Sequence, residues 1–320
     1  MQRRNFIYSL CSLPLAPWLL AGCSTKAPLT IASHVWPGYE LMFLARDEGW
    51  LDDQPVALVE TSSATASMQL VAEGRVMGAA LTLDEVLQMR SRGFALTVVL
   101  VFNISAGADM LLGRPGIMQL ADLEGKRIGA ENSALGALLM SKILAQANLT
   151  QDQVELVPLT IDQHLDAWQQ GKVDALVTFA PTATTLLATG ANQLFDSRAI
   201  PETILDVLAV APGVMEDYHG PLRHLLAGHF RALDYYHLNP IDASYLMARR
   251  LGLSGSKVQD VFRGLLLPSV NSNRQLLNGS ASRVHEVANE LSAIMVGNGL
   301  IPELPSLNGL TSNLFLPRMG

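Results

Sequence analysis

LTIASHVWPGYELMFLARDEGW, residues 29–50, sets the pattern that the rest of the chain follows. Residues 29–33 read as a short strand, Trp36-Pro37-Gly38 as a turn, and residues 38–48 as a helix with apolar Leu41, Phe43, Leu44 and Ala45, stopped by Gly49. The same alternation continues outward. Residues 56–59 read as a strand, 64–73 as a helix ended by Gly74, 78–81 as a strand of small residues, and 84–92 as a helix with Gly93 beyond it. Residues 96–102 form a Val/Leu run suited to a strand buried on both faces. This rhythm predicts an open, largely parallel sheet covered by helices.

A second cycle starts after Arg114-Pro115-Gly116. It has strands at 126–130, 154–158 and 173–179, with helices at 133–147 and 162–170 between them. After an apolar strand at 204–210 the pattern turns almost wholly helical, at 219–237, 240–251, 256–266 and 283–296. The fold class is therefore α/β, with two lobes and a helical C-terminal tail.

With 320 residues, 49% of them hydrophobic and 16% charged, the chain buries a sizeable core and is too apolar for a disordered protein. Its net charge of -7 and lack of any Lys/Arg cluster exclude a nucleic-acid footprint and do not suit an anionic membrane surface. Residues 1–22 read as an export signal. Arg3 and Arg4 precede an uncharged stretch in which Pro14 and Pro17 would break a helix already too short to span a bilayer. Leu20-Ala21-Gly22-Cys23 resembles the bacterial lipobox, which implies cleavage before Cys23 and lipidation of its thiol, and Gln2-Arg3-Arg4-Asn5-Phe6 resembles a twin-arginine signal. Ser24 favours outer-membrane sorting. The only other cysteine, Cys11, leaves with the signal. Disulfides, thiolate catalysis and cysteine-bound zinc are thereby excluded from the mature chain.

Sequence patterns for catalysis are absent: there is no GxSxG, no Walker loop and no GxGxxG. His285-Glu286 opens like a zinc-protease motif, but Asn289 stands where its second His belongs, and His224 and His229 are off a common helical face. No metal or cofactor is expected.

Four segments carry a family likeness. They are His34-Val35-Trp36-Pro37-Gly38-Tyr39-Glu40 running on to Trp50, Ala79-Ala80-Leu81-Thr82-Leu83-Asp84-Glu85, Asn103-Ile104-Ser105-Ala106-Gly107-Ala108-Asp109, and Asp122-Leu123-Glu124-Gly125-Lys126-Arg127-Ile128-Gly129 continuing through Asn132-Ser133-Ala134-Leu135-Gly136. With Gly171 to Phe179 and Asp206 to Val210 in the same order, the chain resembles the nitrate/sulfonate/taurine and thiamine-precursor group of ABC-importer solute-binding proteins. That resemblance implies a type II periplasmic binding fold whose lobes, joined by strands near 96–102 and 204–210, close like a hinge over a small molecule. It implies lobe 1 from residues 23–103 and 208–320, lobe 2 from 104–207, and a monomer anchored by lipid on the periplasmic side of the membrane. An ABC permease is the expected partner, with a membrane signalling receptor as the alternative. Thiamine-pyrimidine synthases share this fold, but they need a cofactor lysine and a cysteine-rich segment, and the mature chain has no cysteine beyond Cys23. Similar proteins often carry Glu before the Pro that follows the strand ending near Phe179; here the pair is Ala180-Pro181.

In open α/β sheets ligands sit at the carboxyl ends of strands, where free helix N-H groups gather. The candidate ligand-binding residues are Trp36, Tyr39 and Glu40 after the first strand, Ser62 and Ser63 after the second, Thr82 and Asp84 after the third, Asn103 on the crossing strand, and Glu131, Asn132, Ser133 and Leu135 in lobe 2. Ser62 and Ser63 serve equally well as helix caps, and Asp84 suits a helix dipole with or without a ligand. Asp109 is read as part of the lobe junction. These loops carry acids and no base, so the expected ligand is a neutral or cationic nitrogenous compound that stacks on Trp36.

Mass spectrometry of the protein extracted from membranes is expected to show a mature chain beginning at diacylated, N-acylated Cys23. An unmodified Cys23, or a Cys23→Ala variant that stays membrane-bound, would contradict the anchor.

Overall fold

The computed structural model describes residues 26–52 and 55–318, so the export signal and Cys23 lie outside the described residues. The chain begins β1 (Leu29–Ser33), α1 (Glu40–Asp47), β2 (Val56–Glu60), α2 (Ala64–Ala72), β3 (Gly78–Thr82), α3 (Leu83–Ser91) and β4 (Thr97–Ser105). It crosses to a second unit made of β5 (Met110–Gly113), β6 (Arg127–Ala130), α4 (Ala134–Ala147), β7 (Glu155–Pro158), α5 (His164–Gln169), β8 (Ala175–Thr178), α6 (Thr182–Ala188) and β9 (Asn192–Asp196). β10 (Leu205–Val210) returns it. There follow α7 (Val214–Asp217), α8 (His219–Leu238), α9 (Pro240–Leu251), α10 (Gly255–Phe262), the two-residue strand β11 (Leu265–Leu266), α11 (Val270–Leu276) and α12 (Arg283–Gly297).

Lobe 1 is built on a six-stranded sheet in the order β11-β4-β10-β3-β1-β2, lobe 2 on a five-stranded sheet in the order β7-β6-β8-β5-β9. Both are mixed. β1 runs parallel to β2 and β3, but β10 lies between β3 and β4 and is antiparallel to each. In lobe 2, β6 is parallel to β7 and β8, while β5 is antiparallel to β8 and β9. The departure from a largely parallel sheet comes from the crossing itself, because a chain that leaves lobe 1 on β4 and comes back on β10 must run the other way.

Each sheet is covered on both faces. In lobe 1 the residues of α1, α8, α9 and α10 form one apolar cluster, and those of α2, α3 and α12 form the other. In lobe 2, Leu139, Met140, Ile143 and Leu144 of α4 fill one side, while Trp168 of α5 with Ala183 and Leu186 of α6 fills the opposite side. Leu138 of α4 is an exception. It is buried in the lobe 1 cluster that holds Val86 and Leu87 of α3 and Val284, Val287 and Leu291 of α12.

The predicted helix at 256–266 ends at Phe262. Ala106 N-H donates to the Gly264 carbonyl at 2.8 Å, and Leu265 and Leu266 then pair with Ser105 and Ile104 as an edge strand. Lobe 1 is also tied to its C-terminal segment. The buried Arg90 on α3 donates from its guanidinium to the carbonyls of Leu96, Ser306 and Asn308, and Val98 exchanges backbone bonds with Leu310 and Ser312 at 2.7 and 2.9 Å. α3, whose first turn faces the other lobe, is thereby held rigidly at its far end.

Candidate ligand site between the lobes

Trp36-Pro37-Gly38 turns the chain from β1 into α1, and Gly38 is needed there for space. A Cβ on it would stand 1.6 Å from Asn103 Oδ1. That oxygen accepts from Trp36 Nε1-H at 3.1 Å, while Asn103 Nδ2-H donates to Asp206 Oδ2 at 2.7 Å and Tyr39 Oη-H to Asp206 Oδ1 at 2.8 Å. One buried network thus joins the first loop, the outgoing strand β4 and the returning strand β10. Burial, then repulsion from Asp109, raises the Asp206 carboxyl well above its ordinary range despite its two donors.

The first turn of α3 adds more acid. Thr82 N-H donates to Glu85 Oε2 at 2.8 Å, while Thr82 Oγ1 and Asp84 Oδ2 are buried without a partner. Burial, with Asp109 adding, pushes Asp84 up to about 6, and burial, then Asp84 and Glu131, raises Glu85 well above the usual range. Asp109, at the crossing, is pushed up to about 6 by burial, and its Oδ2 has no partner. From lobe 2, Glu131 accepts from Thr65 Oγ1 at 3.4 Å across the cleft, and burial pushes it up to about 7.

The enclosed space is about 20 Å³, walled by His34, Trp36, Tyr39, Ala64, Thr82, Glu85, Asp109, Glu131, Leu135, Phe179, Ile204 and Asp206. That holds one water and no organic molecule, so the cleft is shut and a ligand requires it to open. Trp36 meets Phe179 edge-on with centroids 4.8 Å apart, and His34 meets Tyr39 in the same way at 5.4 Å. His34 is neutral, its pKa lowered to about 4 by burial and then by Arg250. No Lys or Arg lines this cavity among the described residues.

Of the sequence candidates, Trp36, Tyr39, Thr82, Glu131 and Leu135 line the cavity, and Asn103 and Asp84 stand directly behind it. Glu40 turns the other way, to Arg250, whose guanidinium lies 3.4 Å over the Phe43 ring and also meets Glu60 at 3.2 Å. Ser63 and Ser133 spend their hydroxyl oxygens on their own helices, accepting from Ala66 and Gly136 N-H at 3.2 and 3.1 Å. Ser62 is exposed, and Asn132 opens onto a neighbouring lobe 2 groove. Sequence reasoning did not name His34, Glu85, Asp109, Phe179 and Asp206 as candidates, yet they line the cavity. Asp206 did leave a signal, being the one charged residue of an otherwise apolar run at 204–210.

Residues 36–243 match the family described as NMT1/THI5 like. No curated protein matches the chain by sequence. Among solved structures, the alkanesulfonate-binding protein SsuA of Xanthomonas axonopodis pv. citri bound to MOPS is similar, with a TM-score of 0.75 and 15% identity over 90% of this chain and 99% of that one. The periplasmic aliphatic sulphonate binding protein SsuA of Escherichia coli has a TM-score of 0.72 and 20% identity over 91% and 99%. The desulfurization enzyme DSZB in complex with biphenyl-2-sulfinic acid has a TM-score of 0.63 and 19% identity over 90% and 98%. At these identities the likeness is one of fold, that of the periplasmic binding proteins.

Asp109 gives a test of the buried acids. Its folded pKa of about 6 lies above the ordinary 3.8, so its contribution to stability is full below about pH 4 and is lost as pH rises through 6. In urea unfolding, Asp109→Asn is expected to gain on wild type between pH 4.5 and pH 7.5 by about 2 kcal/mol. A difference that does not change with pH would show that the carboxyl is not crowded in this way.

Proposed function

The chain belongs to the NMT1/THI5-like family, and from that premise we propose that it is an extracytoplasmic solute-binding protein, anchored to the membrane through Cys23, that captures a small nitrogenous molecule between its lobes for an ABC permease. The ligand is neutral or cationic, an amine or a polar nitrogen heterocycle. What carries this reading is the composition of the cavity wall: the carboxyls of Glu85, Asp109, Glu131 and Asp206, with Asp84 behind them, against the aromatic faces of Trp36, Tyr39 and Phe179, a neutral His34, and no Lys or Arg among the described residues.

The two SsuA structures are of sulfonate-binding proteins, and a sulfonate is an anion. An anion site calls for Arg or Lys, or for free N-H groups at a helix start. Here one N-H group at the start of each of α2 and α4 is taken by the Ser63 and Ser133 oxygens, and the start of α3 carries Asp84 and Glu85. An anion in this cavity would meet like charge in a nearly dry space. A protonated amine would instead supply the donor that Asp109 Oδ2 lacks, and would lie against the Trp36 ring.

Titration calorimetry at pH 7.5 tests the charge class with aromatic amines and aminopyrimidines on one side, alkanesulfonates and nitrate on the other. The nitrogenous compounds are expected to bind, with a loss of about tenfold in Trp36→Ala and a comparable loss in Asp84→Asn. Tight binding of an alkanesulfonate or nitrate, undiminished in Trp36→Ala and improved in Asp84→Asn, would overturn the assignment.

A further inference from the structure

α4 belongs to lobe 2 through Leu139, Met140, Ile143 and Leu144, but it turns a second face to lobe 1. On that face Leu135 lines the cavity, and Leu138, one turn further on, is 1% exposed within the cluster of α3 and α12. α4 touches both of those helices. The same two helices, α3 and α4, therefore hold acids at the cavity, Asp84 and Glu85 on one and Glu131 just ahead of the other, and meet through an apolar contact beside it. Gly136 allows this seating, since a Cβ there would lie 2.0 Å from the Glu131 carbonyl oxygen. Closure has two opposed consequences. It removes Leu138 from water, which favours the shut state, and it brings Glu131 of lobe 2 against Asp84 and Glu85 of lobe 1, which opposes it when they are ionised.

We propose that Leu138 is the latch of a cleft that closes only when its carboxyls are neutralised, by protons in the free protein and by a cationic nitrogen in the complex. The second half rests on the ligand class proposed above; the first does not. The groups that face the cavity from each element are all accounted for. α3 supplies Asp84 and Glu85, the crossing Asp109, β10 Asp206, and the β6–α4 loop Glu131, with Asp162 acting on it from the turn before α5. β1 is followed by His34, uncharged at these pH values, and Tyr39 precedes α1 with its hydroxyl donated to Asp206. Arg250 of α9 is engaged by Glu40 and Glu60. Among the described residues no Lys or Arg lines the cavity, so neutralisation has to come from solution. The values of about 6 for Asp84 and Asp109 and about 7 for Glu131 put the change between pH 5 and pH 8.

Solution scattering of the purified chain without ligand tests this at pH 5 and pH 8. Wild type is expected to be compact at pH 5 and to have a larger radius of gyration at pH 8. Leu138→Glu, and the milder Leu138→Ser, are expected to stay expanded at both, with far-UV circular dichroism and urea unfolding close to wild type. The double variant Asp84→Asn, Glu131→Gln is expected to be compact at both. A wild-type radius that ignores pH, or Leu138 variants that compact as wild type does, would overturn the proposal. If the pH response holds while amines leave the pH 8 curve unchanged, the proton half stands and the nitrogenous ligand is refuted, so the two readings fail separately.

Discussion

The carboxyl of Asp206 sits on a strand that is otherwise wholly apolar, and each of its oxygens is matched to one donor, Tyr39 Oη-H and Asn103 Nδ2-H. A buried carboxyl stripped of such partners costs far more than an ordinary hydrogen bond returns, so the surrounding geometry is strict. Tyr39 reaches it because Pro37-Gly38 turns the chain tightly into α1. Asn103 reaches it because Gly38 leaves room for its amide, and Trp36 then closes the chain of bonds on Asn103. The first loop of the protein and the two strands that cross between its lobes are thus fastened to one group. That gives the Trp36 face a fixed position on the lobe 1 side of the cleft.

Around that fastening the electrostatics are left unbalanced. Asp84, Glu85, Asp109 and Glu131 are each raised chiefly by burial, and among the described residues no Lys or Arg lies in the cavity wall. A scaffold under selection for stability alone would pair or replace such groups, since buried unpaired charge is costly. The contrast with Glu40 makes the point within the same molecule. Glu40 is also buried and raised to about 7, yet it is matched by Arg250, which also packs on Phe43. The unmatched carboxyls are concentrated where the lobes meet, which is where a ligand can supply the missing charge.

The architecture was legible where the signal is local. Strand and helix alternation, glycine stops and the long Val/Leu run identified most elements of both lobes, and the motif likeness to a binding-protein family supplied the hinge. β5 and β9 were not foreseen, because four- and five-residue strands earn their structure from pairing with β8 and with each other rather than from any pattern of their own. α6 is short and threonine-rich, and α10 stops because its end meets the crossing at Ala106. In the site, residues at strand ends could be named, but their orientation could not. Glu40 faces a partner 210 positions away, and Ser63 and Ser133 are consumed by caps. Asp206 was marked only as a lone charge in an apolar run, and Glu85 comes to the cavity wall through contacts that the folded chain creates.

The central claim is that the cleft carboxyls hold protons far above the range of ordinary acids. Carbon-13 NMR of the side-chain carboxyls in the ligand-free protein, assigned with Asp84→Asn, Asp109→Asn and Glu131→Gln, measures this directly. The account expects Asp84 and Asp109 to titrate near 6 and Glu131 near 7. Titration of all three below about 4.5, as for exposed Asp and Glu, would contradict it.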